Sequence, residues 1–313
     1  MSSGEVEDRS SVVPIRRGTR RLLLAFAALT ALAVVQLLLL ADVADRYWAW
    51  SIRTELTAAF LGGAYAAGFV LAVASLRRHD WAEIRVPLLT VTAFTWLTAV
   101  PTLVHLHRLH LVTGGPFARV VSWVWLAVYV VIPLVCVVVV ARQERGRTRQ
   151  RAPRRPMPGW LTAVLAAEGA VLTAAGVTLY AGGMTVHHHH DPTSVLFWPW
   201  ALMPLSAQVI GAWLIALGLA AALAIRTREL SRLLVAGMTY TAFGVFQLVA
   251  VIWYWPQLSR HDLWLVGYVG FLVAVVGTGA YGWRAARSGP PADDAADAPT
   301  TESRPVVLAA GPA

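Results

Sequence analysis

Histidine and carboxylate are the side chains here that could hold a metal or move a proton, and they are unevenly placed. Eight of nine histidines fall in three stretches. VHLHRLH (104–110) carries His105, His107 and His110. HHHHD (187–191) carries His187, His188, His189, His190 and Asp191. His261 stands beside Asp262, and His79 stands apart. Imidazole with carboxylate is a ligand set for Zn²⁺ or Cu²⁺, and imidazole alone titrates near about 6.5. If 104–110 is helical, His107 and His110 share a face and His105 points elsewhere. No HExxH or CxxC spacing accompanies them. A selective metal site also needs partners that orient its ligands, which a solvated loop rarely supplies. The expectation is therefore no cofactor and a histidine run that moves freely in solvent. A divalent metal or haem on these histidines, or a pH sensor, is the alternative.

One acid stands out by its surroundings. Glu168 lies in TAVLAAEGAVLTAAG, an apolar run. A charge at the centre of a bilayer costs about 2.5–3.5 kcal/mol, so such an acid faces a protein interior or is protonated. Gln208, Gln247, Tyr129, Tyr268, Thr92, Thr95, Thr98, Thr239, Tyr240 and Thr241 are the polar residues that could join it around a cavity. Hydrogen bonding between helices is the simpler role for the uncharged ones.

The elements that hold these residues are long apolar blocks. Of 313 residues, 57% are hydrophobic and 14% charged, too few charges to cover a soluble surface. Eight blocks stand at about 20–41, 54–76, 84–106, 118–141, 159–181, 197–225, 230–254 and 262–283. Each is long enough to cross a bilayer as a helix. They are continuous rather than alternating, which excludes a β-barrel. The first block is longer than the apolar core of a signal peptide and is expected to be retained. The lone cysteine, Cys136, excludes an intrachain disulfide and a cysteine metal cage.

All 26 positive residues are arginine. Eight spans put both tails and three loops on one side, with 21 arginines against five on the other. Arginine is retained on the cytoplasmic side, so both termini are expected there, in a cytoplasmic membrane. The net charge of +9 then serves topology and lipid headgroups rather than nucleic acid.

The chain also matches itself. YWAWSIRTELTAAFLGGAYAAG (47–68) lies against FWPWALMPLSAQVIGAWLIALG (197–218), pairing Trp48 with Trp198, Trp50 with Trp200 and Gly68 with Gly218. TAF (92–94) matches TAF (241–243), and WLAVYV (125–130) matches WLVGYV (264–269), pairing Tyr129 with Tyr268. The fold expected is an all-α integral membrane protein of eight transmembrane helices in two parallel four-helix repeats. The repeats span 20–141 and 158–284. An arginine-rich cytoplasmic linker (142–157) joins them, between tails 1–19 and 285–313 expected to be disordered. Thr30 is the match for Glu168, so the first repeat has no such acid. Gly62, Gly63, Gly68, Gly211, Gly218, Gly267, Gly270, Gly277 and Gly279 are expected to let helices approach closely.

No serine-nucleophile elbow, P-loop, dinucleotide fingerprint or metalloprotease helix occurs. The functions left open are three. The first is a small-solute permease with Glu168 as proton or cation site. The second is a non-catalytic membrane accessory or sensor. The third is a membrane enzyme or metalloprotein using the outer histidines. The lipid bilayer is the partner, a small solute is the ligand class of the first reading, and a homo-oligomer is compatible with all three.

Overall fold

A computed structural model of the chain describes residues 13–145, 155–185, 198–258 and 263–288. His187 to His190, Asp191 and His261 lie outside the described residues.

Eight helices are long and apolar enough to cross a membrane, and no strand occurs among the described residues. They are α1 (Arg17–Val34), α2 (Glu55–Leu76), α3 (Trp81–Val104), α4 (Pro116–Glu144), α5 (Gly159–Thr185), α6 (Pro204–Thr227), α7 (Leu233–Trp253) and α8 (Leu263–Arg287). A turn of π-helix, Val35–Leu39, extends α1. The ends follow local chemistry. Thr54 caps α2 by accepting from the Thr57 amide at 3.4 Å, and Asp80 caps α3 by accepting from Ala82 at 3.1 Å. Proline opens α4 and α6, where its missing N–H costs nothing. The aromatic segment before α6 is irregular from Trp198, so this span is shorter than its apolar block. Arg228, at φ 51°, closes α6 in a left-handed turn.

The helices pack in two rows. One runs α1, α2, α7, α8, and the other α4, α3, α6, α5. The strongest contacts run along each row, and the pairs α2–α7 and α3–α6 join the two halves of the chain. Within either half, α2–α3 and α6–α7 barely touch, so the halves interleave. In α2, α3, α6 and α7, 50–83% of the apolar window is buried, against 22–33% in the other four. The first four are the interior, and the others face lipid.

Small residues set the spacing within the rows. In α5, Gly169, Gly176 and Gly183 recur every seven residues. They meet α6 at Ala221 and Gly218, at Gly211 and Ile215, and at Pro204 and Gln208. A Cβ on Gly211 would stand 2.6 Å from the Gly176 carbonyl, so the backbones touch. Gly237 and Gly244 of α7 meet Gly279 and Val276 of α8 in the same way. Gly62 meets the π turn of α1 at Leu37 and Leu38. Gly267, Gly270 and Gly277 differ from the sequence expectation. A Cβ there would meet nothing within 4 Å, because those positions turn away from α7.

Prolines inside the spans are accommodated by neighbours. Pro101 cannot donate to the carbonyl of Leu97, and Tyr180 of α5 donates to that carbonyl at 2.8 Å. A defect in α3 is thus closed from the other half of the chain.

Candidate functional site

Glu168 sits nine residues into α5, about 13 Å along its axis. It lies where α5, α7 and α8 meet, and the residue is 5% exposed. Thr278 Oγ1 of α8 donates to Glu168 Oε1 at 2.9 Å. Among the described residues, Glu168 Oε2 is buried with no hydrogen-bond partner. Tyr240 of α7 stands within electrostatic reach of the carboxyl, and its buried hydroxyl likewise has no partner among them. The two ion pairs among the described residues, Arg78–Glu83 and Arg85–Glu144, do not involve Glu168. The acid therefore has one hydroxyl donor and no counter-ion there.

Thr278 and Tyr240 also line a cavity of about 70 Å³ between the rows. Its wall is otherwise almost wholly apolar, with Leu71, Val86, Phe94, Leu165 and Trp213 among its members. Phe94 and Trp213 of this wall pack on each other, with ring centroids 4.0 Å apart. Both halves contribute: α2 and α3 from the first, α5 to α8 from the second. Leu161 and Leu165, two turns and one turn before the acid on its face of α5, line the cavity; Glu168 is not itself in the wall and reaches it through Thr278.

The other polar residues do not gather here. Gln208 Oε1 lies 2.8 Å from His105 Nε2, and its amide donates to the Tyr180 carbonyl at 3.4 Å. Gln247 donates to the Phe60 carbonyl at 2.9 Å. Tyr129 and Tyr65 pair through their hydroxyls at 2.8 Å. Tyr268 packs on Trp198 and Trp200, its buried hydroxyl without a partner among the described residues. Thr92, Thr95, Thr239 and Thr241 bond carbonyls of their own helices. The polar residues of the spans thus fall into separate places, and of the group expected around Glu168 Tyr240 is within its electrostatic reach.

The histidines behave differently from a helical reading. Helix α3 ends at Val104, and Leu106–Arg108 form a 3-10 turn. His110 leaves the helix entirely: its amide donates to the Ala49 carbonyl at 2.9 Å, and Nε2 lies 3.1 Å from Ser51 Oγ. His105 is buried on Gln208, and His107 contacts Arg108 at 3.2 Å. The rings of His105 and His107 are 6.0 Å apart. Among the described residues no group of three or more His, Cys, Asp or Glu is placed to hold a metal.

Two features went unread in the sequence. Thr278 is the only hydrogen-bond donor to Glu168 among the described residues, yet a threonine 110 residues away carries no local signal. The second is reciprocal. Trp50 donates to Ser206 Oγ at 3.1 Å, and Trp200 donates to Thr57 Oγ1 at 2.9 Å. Each half sends a tryptophan to the first turn of the other half's second helix.

No family model matches the chain, and neither the curated proteins nor the solved structures yield a match.

Proposed function

We propose that the chain is a multi-pass protein of a cytoplasmic membrane in which two parallel four-helix repeats hold a small-solute site beside Glu168. The observation that carries this reading is the buried carboxyl with an unpartnered oxygen, next to a cavity lined by both halves. An ionisable group inside a membrane bundle is costly and is kept where it works.

Several contacts support the repeats. Exchanging each helix for the one four places on turns one row of the bundle into the other. Before α1, Trp81 donates to the Val13 carbonyl and Ile15 to the His79 carbonyl. Before α5, Leu230 donates to Arg155 and Met157 to Arg228 in the same pattern. The reciprocal tryptophans fit the same twofold relation. Counted from those bridges, Glu168 stands eleven residues after Met157, and Phe26 eleven after Ile15. Phe26, rather than Thr30, is then its equivalent. The arginine bias supports cytoplasmic termini.

The site is tested by carbodiimide chemistry. N,N′-dicyclohexylcarbodiimide reacts with protonated carboxyls in apolar surroundings. Purified protein in nanodiscs is expected to be modified at Glu168, read by peptide mass, and the modification should be absent in Glu168→Gln. An unmodified Glu168 counts against a protonatable solute site. Topology has its own test. Cys136 is buried, so cysteines placed at Thr113 and Ser288, both exposed, can be probed separately. On intact cells a membrane-impermeant maleimide should label Thr113→Cys and spare Ser288→Cys.

A further inference from the structure

Resting on that reading of Glu168, we infer that the site takes a small alkylammonium ion, its nitrogen at Glu168 and Tyr240 and its chain in the apolar cavity. Charge, acceptors and room each narrow the ligand. The carboxyl has no Arg or His counter-ion among the described residues, so a cation that enters as the carboxyl proton leaves keeps the site neutral, whereas an anion has no positive group to meet. Thr278 already supplies the one hydrogen bond that Oε1 receives. Glu168 Oε2 and Tyr240 Oη remain as two buried acceptors without partners among the described residues. An ammonium brings up to three N–H donors on one atom, whereas a neutral alcohol brings a single donor and no charge.

The cavity sets the rest of the molecule. Beyond Thr278 and Tyr240 its polar lining residues are Thr90 and Thr239, whose hydroxyls bond carbonyls of their own helices, so the wall offers little to a second polar group. A water needs roughly 10–15 Å³ of such space. About 70 Å³ therefore suits a chain of roughly four to six heavy atoms. The volume limits the chain to about that length, and Phe94 and Trp213 add aromatic surface to the wall. Gly68 lies against Trp213, where a Cβ would stand 3.2 Å from the ring, so the wall there has little slack.

The test uses full-length protein in nanodiscs and equilibrium binding of radiolabelled n-butylamine, with protein-free nanodiscs subtracted. Saturable binding is expected, and it should weaken about tenfold or more in Glu168→Gln. Competition by n-alkylamines should strengthen up to about five carbons and fall beyond. Butanol and butanoate should not compete. Tyr240→Phe removes one acceptor and leaves the carboxyl, so a loss of about threefold to tenfold is expected. That variant keeps the proposal testable if Glu168→Gln fails to fold. Binding that is unsaturable, equal in both variants, or displaced equally by butanol overturns the proposal. Carbodiimide modification of Glu168 without butylamine binding removes this ligand class and leaves the carboxyl site standing. Absence of both removes the two together.

Discussion

The bundle has two ends, and they are filled by different chemistry. At the end formed by α1 and α4, Phe26 packs with Leu22, Leu23, Ile84, Leu88 and Cys136, and Val91 and Val139 press against them. At the end formed by α5 and α8, Glu168, Thr278 and Tyr240 meet beside a cavity. The helices that frame the two ends occupy equivalent places in the two rows. An all-apolar cluster fills one end, whereas the other holds an acid whose insertion costs energy that the first end avoids.

The strongest way to break this comparison is to prevent the second end from forming. Gly211→Leu places a side chain where a Cβ alone would be 2.6 Å from the Gly176 carbonyl. Helices α5 and α6 must then part along their whole seam. Destabilisation of about 3 kcal/mol or more is expected, seen as loss of monodisperse protein after extraction. Gly270→Leu, where nothing lies within 4 Å, should leave yield and melting temperature unchanged. Equal outcomes for the two would mean that the glycine seam is not what joins α5 to α6.

Exchanging the chemistry of the two ends gives the next effect. Phe26→Glu puts a carboxyl among apolar neighbours with no Thr278 to donate to it. A loss of about 2.5–3.5 kcal/mol is expected. Glu168→Leu should leave the melting temperature equal or higher while abolishing carbodiimide modification. A large fall for Glu168→Leu would instead make the acid a structural tie through Thr278. The result sharpens the comparison either way, because both variants are read by the same melting curve.

Smaller still are the reciprocal tryptophans. Trp50→Phe and Trp200→Phe each remove one donor to a hydroxyl of the other half. Each should cost about 1 kcal/mol, and the two losses should add, since the bonds share no atoms. A loss confined to one of them would show that the halves are held together unequally.

The span count was legible because each block exceeds the length that a bilayer demands, and seven of eight helices fall close to their blocks. The sixth does not, since Trp198 to Met203 is apolar yet irregular, its tryptophans occupied with tertiary contacts. Glu168 was legible from surroundings alone. Its partners were not, because which face α8 turns to α5 depends on packing and leaves no trace near residue 278. The seven-residue spacing of Gly169, Gly176 and Gly183 is a sequence signal of the α5–α6 seam, whereas of the denser glycines of α8 only Gly279 meets α7 closely. The condition for His107 and His110 to share a helical face is not met for a local reason: α3 stops at Val104, and His110 is drawn into the loop pairing with Ala49.

The two helix ends at the histidine face carry the smallest expected effect. The residue capping α3 is His105, bound to Gln208, and the one capping α7 is Tyr254, whose hydroxyl donates to Asp42 at 2.7 Å. Tyr254 lies just beyond the span. Burial, then the Asp42 carboxylate that accepts its proton and the nearby Glu55, hold its phenol well above the ordinary value. The folded chain therefore keeps a proton that the unfolded chain releases near pH 10. Stability from this group is complete below about pH 10 and is lost as pH rises further toward the folded-state value. Tyr254→Phe has no proton to keep. Its melting temperature should sit slightly below that of the native chain at pH 8 and fall less steeply between about pH 10 and 11. Parallel curves for the two proteins would show that the Asp42 contact does not hold the end of α7 to the loop after α1.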